Sequence, residues 1–185
     1  MGTIGLYVVT MMLLAGEANA AMPVVKDMSF KDADGHRVLR ESVLVDASTA
    51  DVWRAFTTDS GFTHWAAPVA HITPGNGGLI EFPFSPTGKI GDPTNVRNRI
   101  LVYLPDELII TQNEFVPVGG PMDPRTFGSV RTIIALSDEG GKTRVTQTVI
   151  GFGDGPAYDS LYDHLRGGNA QYLAKLVMSF APTVK

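Results

Sequence analysis

The sequence predicts an α+β domain: a curved antiparallel sheet around one long C-terminal helix, with two short helices after the first strand. Three observations carry this expectation. From Pro156 to Phe180, the apolar residues Tyr158, Leu161, Tyr162, Leu165, Tyr172, Leu173, Leu176, Val177 and Phe180 recur at three- and four-residue steps. They line one face of a helix about 25 residues long, which needs a broad apolar partner. Between residues 69 and 150, strand-like runs alternate with turn-rich connections, as successive hairpins do. Before them stand one strand and two short helical segments.

At 185 residues, with 44% apolar and 18% charged content, the chain is long enough for one domain with a real core. The net charge of −4 offers no basic face for nucleic acid, and no polybasic run marks an anionic membrane surface. Cysteine is absent, which excludes disulfides and thiolate chemistry.

Residues 1–20 read as a signal peptide. Ile4 to Ala15 is apolar apart from Thr10 and a glycine, and Ala18-Asn19-Ala20 has the small-x-small pattern of a cleavage site, giving a cut after Ala20. The run is too short to span a bilayer, so no stable membrane insertion is expected. A periplasmic or secreted location follows. Residues 21–37 read as an N-terminal extension with a turn at Asp32-Ala33-Asp34-Gly35, and residues 38–182 as the domain.

In the domain, Val38 to Val45 is a strand with Leu39, Glu41, Val43 and Val45 on one face and Val38, Arg40, Ser42 and Leu44 on the other. Ser48-Thr49-Ala50-Asp51 has the spacing of a capping box and starts a helix running to Thr57, with Val52, Trp53 and Phe56 as core residues. Gly61 to Ala66 is a second helix, stopped by Pro68. Val69–Thr73 with Leu79–Phe84, Val96–Tyr103 with Leu108–Phe115, and Ser129–Ser137 with Thr143–Ile150 form three hairpins. Val116 to Phe127, rich in proline and glycine, reads as a loop of the rim or lid type. Gly167-Gly168 interrupts the long helix, at about 1 kcal/mol per glycine relative to alanine.

Five segments, in order, resemble the START/Bet v 1-like helix-grip fold of the SRPBCC superfamily, and within it the heat-shock-chaperone ATPase activator homologues. They are Val45 to Thr57 (VDASTADVWRAFT), Phe62 to Pro68 (FTHWAAP), Leu104 to Thr111 (LPDELIIT), Glu139 to Thr146 (EGGKTRVT), and Arg166 to Asn169 leading to Leu173 and Leu176. Asn169 and the His64-Trp65 pair depart from the tryptophans usual in that branch. The resemblance implies a cavity between sheet and helix that binds or transports a small hydrophobic or aromatic molecule. It also implies two alternatives, a polyketide cyclase-like enzyme or a chaperone-binding module.

The expected cavity walls follow from strand alternation. Ile80, Phe82 and Phe84 share one face, and Gln147, beside Val145 and Val149, is either a polar group within an apolar wall or an edge residue. Trp65 either covers the pocket mouth or plugs the core. Tyr158, Tyr162, Leu165 and Tyr172 face the sheet from the helix, as core first and ligand contacts second. Arg97 and Arg99 are expected in solvent.

No cofactor or metal is expected, because His36, His64, His71 and His164 lie on different elements without ligand spacing. The catalytic candidate is His64, as a general acid or base in a cyclase-like pocket that His71 could face from a strand, with a pocket Arg as the alternative, and no carboxylate is placed beside either histidine by spacing. Gly151-Phe152-Gly153-Asp154-Gly155-Pro156 imitates a dinucleotide fingerprint, but Pro156 takes the third small position and no βαβ unit follows. Its glycines instead permit a tight turn into the helix.

Overall fold

The computed structural model describes residues 23–83, 85–115 and 123–182. The expected signal peptide, Phe84 and residues 116–122 of the expected loop lie outside them. The elements begin with three strands, β1 (Lys26–Asp27), β2 (Phe30–Lys31) and β3 (Arg37–Val45), and two helices, α1 (Thr49–Thr57) and α2 (Asp59–Trp65). Strands β4 (His71–Thr73), β5 (Leu79–Phe82), β6 (Val96–Leu104) and β7 (Leu108–Phe115) follow. A short helix α3 (Pro124–Ser129) precedes β8 (Arg131–Glu139), β9 (Lys142–Ile150) and the long helix α4 (Pro156–Ser179).

The architecture is α+β with a helix-grip arrangement. Eight strands run in the order β1-β3-β9-β8-β7-β6-β5-β4, and β2, the ninth, also pairs with β3. Strand β3 is antiparallel to β9, with Leu39 opposite Val149 and Val45 opposite Thr143, so first and last strands meet. Residues read as an N-terminal extension therefore supply two strands of the sheet. At two residues each, β1 and β2 are too short to show an alternation.

Local signals set the helix boundaries. The Ser48 hydroxyl accepts from the Asp51 amide at 3.2 Å, which fixes the start of α1. Thr58 does the same for α2 by accepting from the Gly61 amide at 3.0 Å. A Cβ at Gly61 would fall on the Arg54 carbonyl, so the corner between α1 and α2 admits only glycine there. Gly155, at φ 98°, turns the chain into α4, and Pro156 occupies its first turn. Helix α3 lies where the sequence suggests a loop: Asp123 caps it, and six residues are too few for periodicity to emerge.

Helix α4 runs unbroken through Gly167-Gly168, contrary to the expected interruption. The glycine penalty is small beside the burial at both ends. Towards its C-terminus, Leu173 and Leu176 are buried with Val43, Val45, Val52 and Ile109 in the main core. Towards its N-terminus, Leu161 is buried in a second cluster with Leu39, Val130, Val149 and Phe152. Nothing lies within 4 Å of where a Cβ would stand at either Gly167 or Gly168.

Two substitutions separate these contributions in urea unfolding curves. Gly167→Ala should stabilise the fold by about 0.5–1 kcal/mol, because it adds helix propensity without a clash. Leu173→Ala should cost about 2–5 kcal/mol through lost burial and a new cavity.

Candidate functional site

Between its two anchored ends, α4 stands off the concave face of the sheet and leaves a cavity of about 250 Å³. Alternation along the strands decides what faces it. Ile80 and Phe82 come from β5, Val96 and Asn98 from β6, Ile109 and Thr111 from β7, and Thr132 and Ile134 from β8. Gln147 on β9 completes the floor, and Leu165, Gly168, Asn169 and Tyr172 of α4 form the roof. Phe56, Phe62, Trp65, Phe127 and His164 complete the lining. Arg97 and Arg99 lie on the opposite face of β6; Arg99 forms a two-toothed pair with Glu114 at 2.7 and 2.8 Å.

The aromatic side is tightly assembled. Trp65 meets Phe56, Phe62 and Tyr172 with ring centroids 5.2, 5.8 and 5.8 Å apart. Its indole N–H donates to the Ala55 carbonyl at 3.0 Å, which locks the ring in place. Trp65 is thus both a packing residue and a cavity wall. Trp53 is buried core, edge-on to Tyr103. Burial raises the Tyr172 phenol above its usual range.

Of the residues singled out from the sequence, Trp65, Ile80, Phe82, Gln147, Leu165 and Tyr172 converge on the cavity. Phe84 is outside the described residues. Tyr158 and Tyr162 lie elsewhere. The Tyr158 hydroxyl is 3.0 Å from the Ser129 hydroxyl, and Tyr162 packs on Phe152 beneath the Arg37 guanidinium. Both belong to the second cluster, because the first turns of α4 sit directly on the sheet there. His64 is exposed, with its Nε2 3.3 Å from the Ser179 carbonyl, and does not line the cavity. The histidine that does is His164, which spacing alone did not distinguish.

Asp32, Asp34 and His36 form the one group of metal-type side chains among the described residues. All three are exposed on the β2–β3 turn, where the Asp32 carboxylate accepts from the amides of Asp34 and His36.

Glu41 is the residue that the sequence reading passed over. It faces inward between Leu39 and Val43, opposite Gln147 in register, and is only 3% exposed. Its Oε2 has no hydrogen-bond partner. Burial pushes its carboxyl up to about 7, the nearby Asp27 carboxylate adds to the shift, and Arg166 partly offsets it. Arg166 is itself held by Asp27, at 2.6 and 3.0 Å. The signal was present in the sequence, as an acidic residue on the apolar face of a strand.

Residues 46–181 match the family described as Activator of Hsp90 ATPase homolog 1-like protein. The chain belongs to this family. No curated protein matches it. Solved structures share the fold at low identity. The Aha1 dimer from Colwellia psychrerythraea is 19% identical, with a TM-score of 0.57, covering 77% of this chain and 95% of that one. CalU16 from Micromonospora echinospora is 15% identical, with a TM-score of 0.60 and coverage of 86% and 87%. MLL2253 from Mesorhizobium loti is 17% identical, with a TM-score of 0.63 and coverage of 80% and 100%. Family members of this kind have a fold suited to hydrophobic ligands, and among the described residues no helix is long and apolar enough to cross a membrane.

Glu41 makes stability depend on pH in a definite direction. Its folded-state value of about 7 lies above the ordinary 4.5, so the folded form holds the proton more tightly than the unfolded chain. This contribution is fully present below 4.5 and is lost as pH rises through about 7. Unfolding curves for Glu41→Gln should lack a loss on the order of 1–2 kcal/mol, the shift discounted for solvent screening, that the parent shows across that window. An unchanged pH slope would remove Glu41 as its source.

Proposed function

We propose that this protein binds a compact, largely apolar molecule in the cavity beneath α4. The observation that carries this reading is the cavity itself, an aromatic-walled space between two packed clusters and not a filled core. Interiors are otherwise close-packed, and an apolar void forfeits the contacts of its lining atoms until something fills it. A volume of about 250 Å³ corresponds to about eight waters at bulk density and lies just below the range of drug-sized pockets. The enclosed part of the cavity suits one or two fused rings, and a sterol or a long acyl chain would project through its open side. Among the described lining residues there is no Asp, Glu, Lys or Arg, which supports an uncharged ligand.

Export is part of the proposal, supported by the apolar run from Ile4 to Ala15 followed by Ala18-Asn19-Ala20. It bears on a second reading, the activation of a chaperone ATPase that the family description names. An exported chain would be separated from cytosolic ATP. N-terminal sequencing of the mature protein from an envelope fraction tests this: a start at Ala21 supports export, and an intact Met1 on cytosolic protein favours the chaperone reading. Enzymatic turnover has weaker support, since His64 is not at the cavity and no carboxylate stands among the described lining residues with His164.

Thermal unfolding with a panel graded by size tests ligand binding. One- and two-ring aromatics at a hundredfold excess over Kd should stabilise the protein by about 2.7 kcal/mol, a rise of roughly 5–10 °C in Tm, while cholesterol at the same concentration should give a smaller rise. Absence of a shift from every apolar compound would overturn the reading.

A further inference from the structure

We propose that the ligand of this cavity carries a neutral hydroxyl or carbonyl group, seated on a polar stripe formed by Thr111, Thr132, Gln147 and Asn169. The inference rests on the binding reading above and adds the chemical class of the ligand. All four residues line the cavity. The sheet register sets three of them close together on the floor. Thr111 is opposite Thr132, while Gln147 is opposite Ile134, two residues along β8 from Thr132 on the same face. Asn169 comes from the roof, next to Gly168, where nothing lies within 4 Å of a Cβ position.

These groups lack partners. Within the described residues, no side-chain hydrogen bond engages Thr111, Thr132, Gln147 or Asn169, and the Asn169 amide nitrogen is buried and unpaired. Asn98, further along the floor, differs: its side-chain oxygen accepts from the Asn113 amide at 3.1 Å. The Asn169 nitrogen, removed from water, costs stability until a partner arrives, whereas Thr111, Thr132 and Gln147 are half-buried and present their polar groups to the cavity. A partner oxygen satisfies the stripe in both senses: it accepts from the Asn169 amide, and as a hydroxyl it also donates to the Gln147 carbonyl. An anion fits poorly. No cationic Lys or Arg lines the cavity among the described residues, and Glu41, buried with an unpaired oxygen, stands opposite Gln147 in register.

Isothermal titration of the full chain with 2-naphthol, naphthalene and 2-naphthoate tests this with one ring system and three polar states. The expected result is that 2-naphthol binds at least about tenfold tighter than naphthalene, and tighter than 2-naphthoate. Gln147→Leu and Asn169→Leu should each cut the preference for 2-naphthol over naphthalene by about tenfold. Circular dichroism melts verify that the variants fold, and the comparison of three probes on the parent chain stands without them. Equal affinities for 2-naphthol and naphthalene would overturn the inference, since water then satisfies the stripe, while the apolar binding reading would survive. Tightest binding of 2-naphthoate would overturn the neutral class. Binding of none of the three would overturn both readings together.

Discussion

Helix α4 is held against the sheet at its two ends and held off it in the middle, and most of the structure follows from that constraint. Leu173 and Leu176 are buried with β3, β7, β9 and α1, while Leu161 is buried with Leu39, Val149 and Phe152. Each burial of a large aliphatic side chain is worth about 1.5–3 kcal/mol, enough to carry the helix across two glycines that contribute no side chain to the interface. The span between the anchors stays regular because its backbone hydrogen bonds are intrahelical and ask nothing of the sheet. The cavity is the consequence of that geometry.

The same constraint distributes polarity. Strand alternation delivers Thr111, Thr132 and Gln147 to the concave face, where a helix packed flush would have covered them. Glu41 lies nearer the β3 edge, roofed closely enough to lose solvent yet without a hydrogen bond to one of its oxygens. Its exposed neighbour Asp27 has the opposite fate: hydrogen bonds from Ser29, and then the Arg166 guanidinium, hold its carboxyl below the usual range. Two carboxylates on adjacent strands thus differ because one is solvated and hydrogen-bonded, while the other is shut away from water with one oxygen unpartnered.

Much of this was legible beforehand because it is periodic or local. The capping residue of α1, the three hairpins and the terminal helix follow from spacing within a few residues, and their observed bounds differ from the expected ones by one or two positions. The inward faces of β5 and β9 follow from alternation, so Ile80, Phe82 and Gln147 were identifiable as wall residues. Tyr158 and Tyr162 were assigned to the same wall because a helical stripe records which face is apolar, not how far it stands from its partner. His164 escaped for a related reason, since a polar residue beside the stripe has no period of its own. Strands β1, β2 and helix α3 are too short to imprint a pattern.

By itself, then, the sequence determined the α+β class, the order of elements, the helix caps and turns, and which face of each strand and of α4 is apolar. These are properties of neighbours in the chain. The tertiary structure alone decided the distance between those faces, and with it the difference between core and cavity along a single helix. It decided that β3 closes against β9, that Glu41 loses water while Asp27 keeps it, and that Asn169 meets a polar floor without a partner. Each of these depends on two surfaces distant in sequence approaching to a particular separation, which the packing of all the other side chains sets.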